Sequence, residues 1–203
     1  MLQSPAVYLR RPTSDYYPTR IMMDVLGGSF SSRINMNLRE DKGWAYGSAA
    51  YIRYWPEAGS LRANSSVRTD VTRDAVAELH AEIVRMAVAG PAAAEIEREK
   101  NGAILSLPGL FATGADTLAT VQELVYYHLP LDEYARFVPA VQAVTLAAAR
   151  AAAATHLHPD ALQALVVGDG KTVLAGLKQL LASGALGAGE LVMLDGDGKV
   201  IPE

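Results

Sequence analysis

Leu26-Gly27-Gly28-Ser29-Phe30-Ser31-Ser32-Arg33-Ile34-Asn35-Met36-Asn37-Leu38-Arg39-Glu40-Asp41-Lys42-Gly43-Trp44-Ala45-Tyr46-Gly47 is the stretch from which the fold is read. Within it Phe30, Ile34 and Leu38 recur at helical spacing, and Glu40-Asp41-Lys42-Gly43 closes the periodic run with a glycine near a C-cap position. Trp44 to Tyr54 then has the aromatic, period-two character of a strand at the edge of a sheet. Pro56-Glu57-Ala58-Gly59 turns it into a partner over Ser60 to Arg68, so the stretch predicts a helix followed at once by a long hairpin.

Toward the N-terminus, Ala6-Val7-Tyr8-Leu9 reads as a short strand ended by Pro12. Thr13, Ser14 and Asp15 offer caps to a helix from about Tyr17 to Leu26, which carries Ile21, Met22 and Val25. Gly27-Gly28-Ser29 is read as a break or bend, with a turn preferred at the glycine pair. Beyond the hairpin, Val76, Leu79, Ile83 and Met86 form the stripe of a helix stopped by Gly90-Pro91. Helices are expected over 92–107, 113–128, 131–138, 145–155 and 172–181, with a strand at 164–167 and a closing hairpin around Asp195-Gly196-Asp197-Gly198.

Strands at both ends with helices between them predict an α+β fold, an antiparallel or mixed sheet covered by helices on one face. No linker, charge run or internal repeat divides the chain, so residues 1–203 read as one domain. Half the residues are hydrophobic and 20% are charged, which demands a packed interior and excludes disorder.

Composition narrows the chemistry. Lys and Arg number 18 against 22 Asp and Glu, so no basic surplus exists for a phosphate backbone and nucleic acid is not expected as a partner. The absence of Cys removes disulfides, thiolate metal sites and cysteine nucleophiles together. No apolar run reaches the roughly 20 residues of a membrane span. Met1 to Arg11 has no signal-peptide pattern, and both cytoplasm and periplasm stay open as compartments.

His80, His128, His156 and His158 form neither H-E-x-x-H nor H-x-x-E-H, so no metal site is expected from this chain alone. His156 and His158 are read as helix C-terminal and loop histidines, and His80 as a surface or partly packed one. Gly168-Asp169-Gly170-Lys171-Thr172 imitates the tail of a phosphate loop, but Leu165 stands where its first glycine is required, which leaves a strand-to-helix turn. No serine sits in a Gly-x-Ser-x-Gly elbow.

The stretch from Leu26 to Gly47 closely resembles the signature of the second, non-catalytic domain of M16 zinc metallopeptidases, the pitrilysin, insulinase and mitochondrial processing peptidase family. The resemblance continues through Arg68-Thr69-Asp70, Glu99-Lys100-Asn101, Ser106-Leu107-Pro108-Gly109, Leu129 to Tyr134, Ala143-Val144-Thr145 and Val166 to Asp169. It implies a domain that helps to form a clam-shell chamber, with zinc held by an H-x-x-E-H helix in a partner domain or subunit. It also implies that this chain alone is inactive and holds no cofactor.

The resemblance further implies a substrate-binding pair seven residues apart, and Arg39 and Tyr46 occupy those positions. A guanidinium is permanently charged and forked, and a phenol donates one directed hydrogen bond, so the two can hold a peptide carbonyl. Taken as isolated residues, Arg39 suits a helix C-terminus and Tyr46 a strand without any such role. The expectation is a peptide-binding, chamber-closing domain whose Arg39 and Tyr46 both face one cavity. A purely structural assembly module is the alternative, and a homodimer is a further possible state.

Overall fold

α1 (Tyr16–Met23) buries Thr19, Ile21, Met22 and Met23 on one face, and its last turn widens without interruption into a π-helical segment, Asp24–Gly28. The structure, a computed structural model, describes residues 1–4, 11 and 13–201. The strand expected over 6–9 lies outside the described residues. Thr13 and His156 both engage the Asp15 carboxylate, so Asp15 sits at the N-cap position of α1 without capping it.

The glycine pair expected to turn the chain instead completes the π segment. Gly27 is buried, and a Cβ placed on it would lie 2.1 Å from the backbone nitrogen of Ala50 and 2.5 Å from the Ala50 Cβ. Only hydrogen fits between these two backbones. The short α2 (Arg33–Asn35) follows and widens in turn into a second π segment, Met36–Asp41, which keeps Ile34 and Leu38 buried. Gly43, at a φ of +61°, ends this turn, and the Trp44 N–H donates to the Leu38 carbonyl at 2.9 Å.

β1 (Leu2–Gln3), β2 (Ala45–Tyr54), β3 (Gly59–Val67) and β4 (Gln163–Ala164) form one antiparallel sheet in the order β2-β3-β1-β4. β2 is therefore an edge strand, as its aromatic pattern suggests. The β2–β3 register runs from Tyr54 opposite Gly59 to Ser48 opposite Ser65, then shifts before Ala45 opposite Val67. Tyr46 and Gly47 thus face one residue of β3, which makes a β-bulge.

Helices cover one face. α1 and α3 (Thr72–Ala89) pack on the sheet side where Ala50, Leu61 and Ala63 are buried, and α3 contributes Val76, Leu79, Ile83 and Met86 as the expected stripe. α4 (Ala93–Ser106), α5 (Gly114–Tyr126), α6 (Glu133–Gln142) and α7 (Leu146–His156) complete the helical layer, and Ala149 and Ala153 let α7 approach α1 closely. α8 (Gly170–Ala182) is capped by Asp169, whose carboxylate accepts from the Lys171 N–H and the Thr172 hydroxyl. The phosphate-loop mimic is thus an ordinary helix start. The closing hairpin is reduced to a single bridge, Leu194 with Val200, and the strand expected at 164–167 pairs only through its beginning.

Replacing Gly27 by alanine tests the close approach. Because the obstructing atoms belong to backbone, Gly27→Ala is expected to destabilise the fold by at least about 2–3 kcal/mol. Urea unfolding followed by circular dichroism measures this; an unchanged midpoint would contradict the contact.

Candidate functional site

Where the two π segments meet the bulged end of β2, they leave an open pocket of about 380 Å³. Gly27, Gly28, Ser29 and Phe30 form one wall, Asn35 and Arg39 the second, and the floor and far side come from Gly47–Ala49 of β2 and Asn64–Ser66 of β3. The walls are rich in hydroxyl, amide and bare backbone groups, with one guanidinium. Such a surface offers hydrogen-bond donors to a polar chain.

Arg39 belongs to the second π segment, 39% of its side chain exposed, with its Nε 3.3 Å from Glu40. Its guanidinium lies over the ring of Phe30, 4.7 Å from the centroid. A cation on an aromatic face is held without satisfying its N–H groups, which leaves the fork free to donate elsewhere. Phe30 itself is 63% exposed, an unusual setting for phenylalanine that the stacking explains.

Tyr46 lies elsewhere. It is 97% exposed on the bulge, directly before Gly47, and it forms no part of the pocket wall. The structure therefore brings Arg39 to the pocket and leaves Tyr46 at its rim, in solvent. The bulge is the physical reason, since one extra residue in β2 changes the face to which the tyrosine is presented.

Three further residues, Asn35, Ser48 and Ser65, complete the geometry, and the periodicity of the sequence points to none of them. Asn35 is 4% exposed; its side-chain amide donates to the Phe30 carbonyl at 2.7 Å, and its Oδ1 accepts the Ser48 N–H at 3.1 Å. The Ser48 and Ser65 hydroxyls are bonded across the strands at 2.7 Å. An amide inside an apolar run is the signal that could have drawn attention to Asn35.

Ion pairs brace the walls from behind. Arg33 donates to both oxygens of Glu95, at 2.8 and 2.6 Å, and to the Gly90 carbonyl at 3.2 Å. This hydrogen bonding holds the Glu95 carboxyl below its ordinary value. Glu99, almost fully buried, accepts from the Ser29 hydroxyl at 3.0 Å and from Arg98 at 2.9 Å.

Among the described residues no group of three or more His, Asp or Glu is arranged to hold a metal ion. His80 contacts the Pro159 carbonyl through Nε2 at 3.2 Å, and His156, the last residue of α7, contacts Asp15. These donor sets do not fit zinc.

Asp24, beneath Gly28, is the group whose titration bears on the pocket's support. Burial pushes its carboxyl from 3.8 up to about 6, with Arg20 opposing and Glu99 adding to the rise. The folded protein therefore holds this proton more tightly than the unfolded chain does. The contribution is fully present below pH 3.8 and is lost as the pH rises through about 6. Asp24→Asn is accordingly expected to raise stability near neutral pH by about 2 kcal/mol. Denaturant midpoints of the two proteins should converge in acid; a constant offset across the range would contradict this origin.

Comparison with known proteins bears on this geometry. Residues 3–103 match the family described as the peptidase M16 inactive domain. No curated protein matches the chain. Among solved structures, the peptidase M16 inactive domain from Pseudomonas fluorescens has a TM-score of 0.71 at 22% identity, over 79% of this chain and 38% of that one. A protease from Helicobacter pylori gives 0.64 at 12% identity, over 79% and 38% respectively. The inactive peptidase domain of a candidate zinc protease from Bordetella parapertussis gives 0.64 at 14%, over 80% of this chain and 88% of that one. At these identities the structures share the fold. The chain spans less than two fifths of the length of the first two and most of the third.

Proposed function

Since the chain belongs to the peptidase M16 family, in its inactive-domain branch, we propose that it binds peptide and closes a chamber for a zinc centre held by a partner domain or subunit bearing H-x-x-E-H. Arg39 and Tyr46 orient the peptide there. The observation that carries this reading is the Arg39 guanidinium, laid on the Phe30 ring at the wall of a polar pocket beside the edge strand that bears Tyr46.

The chemistry follows from the donors. In water a single hydrogen bond to a peptide carbonyl gains little, because it replaces one to solvent. When a partner domain closes over the pocket, water leaves, and a guanidinium and a phenol aimed at one carbonyl gain strength against the charge that develops on it. Tyr46, almost wholly in solvent in this chain, is the group that such closure would desolvate. The zinc would supply the polarisation and activated water from the other side; this chain's own residues bind, orient and exclude water.

A covering partner also accounts for an apolar face. Leu118, Val121 and Val125 recur along α5, each about half exposed or more, and Phe111 in the turn packed against α5 is also exposed. Patches of this kind mark surfaces that another protein body covers. The double substitution Leu118→Glu and Val125→Glu should abolish association with the partner, or of the chain with itself, while leaving the circular dichroism spectrum unchanged. Sedimentation velocity reads the outcome, and undiminished association would place the contact elsewhere.

One observation favours the alternative, an assembly module with no role in proteolysis: Tyr46 stands off the pocket wall. A peptidase assay separates the two. The chain alone should be inactive, and its mixture with an H-x-x-E-H-bearing subunit from the same source should cleave casein peptides. Arg39→Ala and Tyr46→Phe should each lower kcat/KM of the mixture by roughly tenfold to a hundredfold. An active mixture indifferent to both substitutions would support the assembly module. Stoichiometric zinc and cleavage by the chain alone would overturn the proposal altogether.

A further inference from the structure

We infer that Asn35 is the positioning residue of the peptide site: it fixes Phe30 under Arg39 and, through the same amide group, fixes the bulge that carries Tyr46. This inference rests on the peptide-binding reading given above.

Phe30 is an exposed aromatic in a segment between two π-helical turns, and such a ring lacks a packed wall to hold it. Yet Arg39 depends on it, since among the described residues the partners of the guanidinium are the ring face and the exposed Glu40. What holds Phe30 is its backbone. The Asn35 Nδ2 donates to the Phe30 carbonyl at 2.7 Å, closing a loop over Phe30 to Asn35 from the inside.

The other end of the same amide reaches the sheet. Asn35 Oδ1 accepts the N–H of Ser48 at 3.1 Å, at the residue where the β2–β3 register resumes after the bulge. An edge strand has N–H groups without a ladder partner, and one of them is here assigned to a buried side chain. Asn35 thus sets the distance between the wall that carries Arg39 and the strand that carries Tyr46. An amide suits this position because it carries a donor and an acceptor on separate atoms of one short side chain.

Substitutions at Asn35 separate these roles. Asn35→Asp keeps an acceptor for Ser48 and loses the donor to Phe30; Phe30→Leu keeps the amide contacts and removes the aromatic face. Fluorescein-labelled tryptic peptides of β-casein serve as the probe, with Kd read by anisotropy on the chain mixed with its H-x-x-E-H-bearing subunit, well below the unfolding midpoint of every variant. Asn35→Asp and Phe30→Leu should each weaken binding on the order of tenfold, the scale of one or two lost contacts. In an Arg39→Ala background neither should weaken it further, because both act through the guanidinium.

Amide exchange at Ser48 supplies a second readout. It should stay slow in Asn35→Asp and become fast in Asn35→Ala. If Arg39→Ala weakens binding but Asn35→Asp does not, the positioning role falls and the peptide-binding reading stands. If Asn35→Asp weakens binding equally with and without Arg39, its effect is general to the fold and the inference is overturned. If Arg39→Ala itself leaves Kd unchanged, both fall together.

Discussion

The approach of Gly27 to the backbone of Ala50 is the constraint from which the functional face is built. It brings the end of the first helix against the edge strand at a distance that no side chain allows. The π-helical segment that contains this contact and the one that follows it keep Leu26, Ile34 and Leu38 inside while Ser29, Phe30 and Arg39 stay at the surface. π-helical segments of this kind hold residues in arrangements that a regular helix would not, and they are found at functional sites. The pocket is the space left between those turns and the bulged strand.

Several polar groups around the pocket are bonded on the inside. The Asn35 amide spans Phe30 and Ser48, Arg33 grips Glu95, and Glu99 takes Ser29 and Arg98. Buried polar networks specify a geometry when their members are satisfied. On the outside the Arg39 guanidinium rests on the Phe30 ring with only the exposed Glu40 beside its Nε among the described residues, and Tyr46 stands in solvent. A domain so arranged is preorganised on one side and incomplete on the other, which suits a body that works against a partner.

The layer architecture was legible because hydrophobic period and glycine placement agree along the chain. The stripe of α3 and the long hairpin lie within a residue or two of where periodicity puts them. Gly43 ends its turn with a positive φ as its position suggests. The role of Gly27-Gly28 was not legible, because a glycine that permits backbone contact and one that permits a turn look alike in sequence. Nor was the bulge, which depends on how β2 meets β3 and leaves no local mark. Arg39 could be singled out through the family resemblance, whereas Phe30 and Asn35 could not, since a ring and an amide gain their meaning only from the fold that places them. The strand expected at 164–167 and the closing hairpin are shorter for a related reason: their pairing depends on other segments, which local propensity does not describe.

Residues 3–103 match the peptidase M16 inactive domain, and the donors of this chain's own residues fit the peptide-binding role proposed for it. Photocrosslinking from position 46 tests the central claim most directly. Tyr46→p-benzoylphenylalanine would be mixed with the H-x-x-E-H-bearing subunit and fluorescein-labelled casein peptides, then irradiated and mapped by mass spectrometry. Our account predicts a peptide adduct at position 46 that unlabelled peptide competes away and that requires the partner subunit. An active mixture that yields no peptide adduct at this position would contradict it.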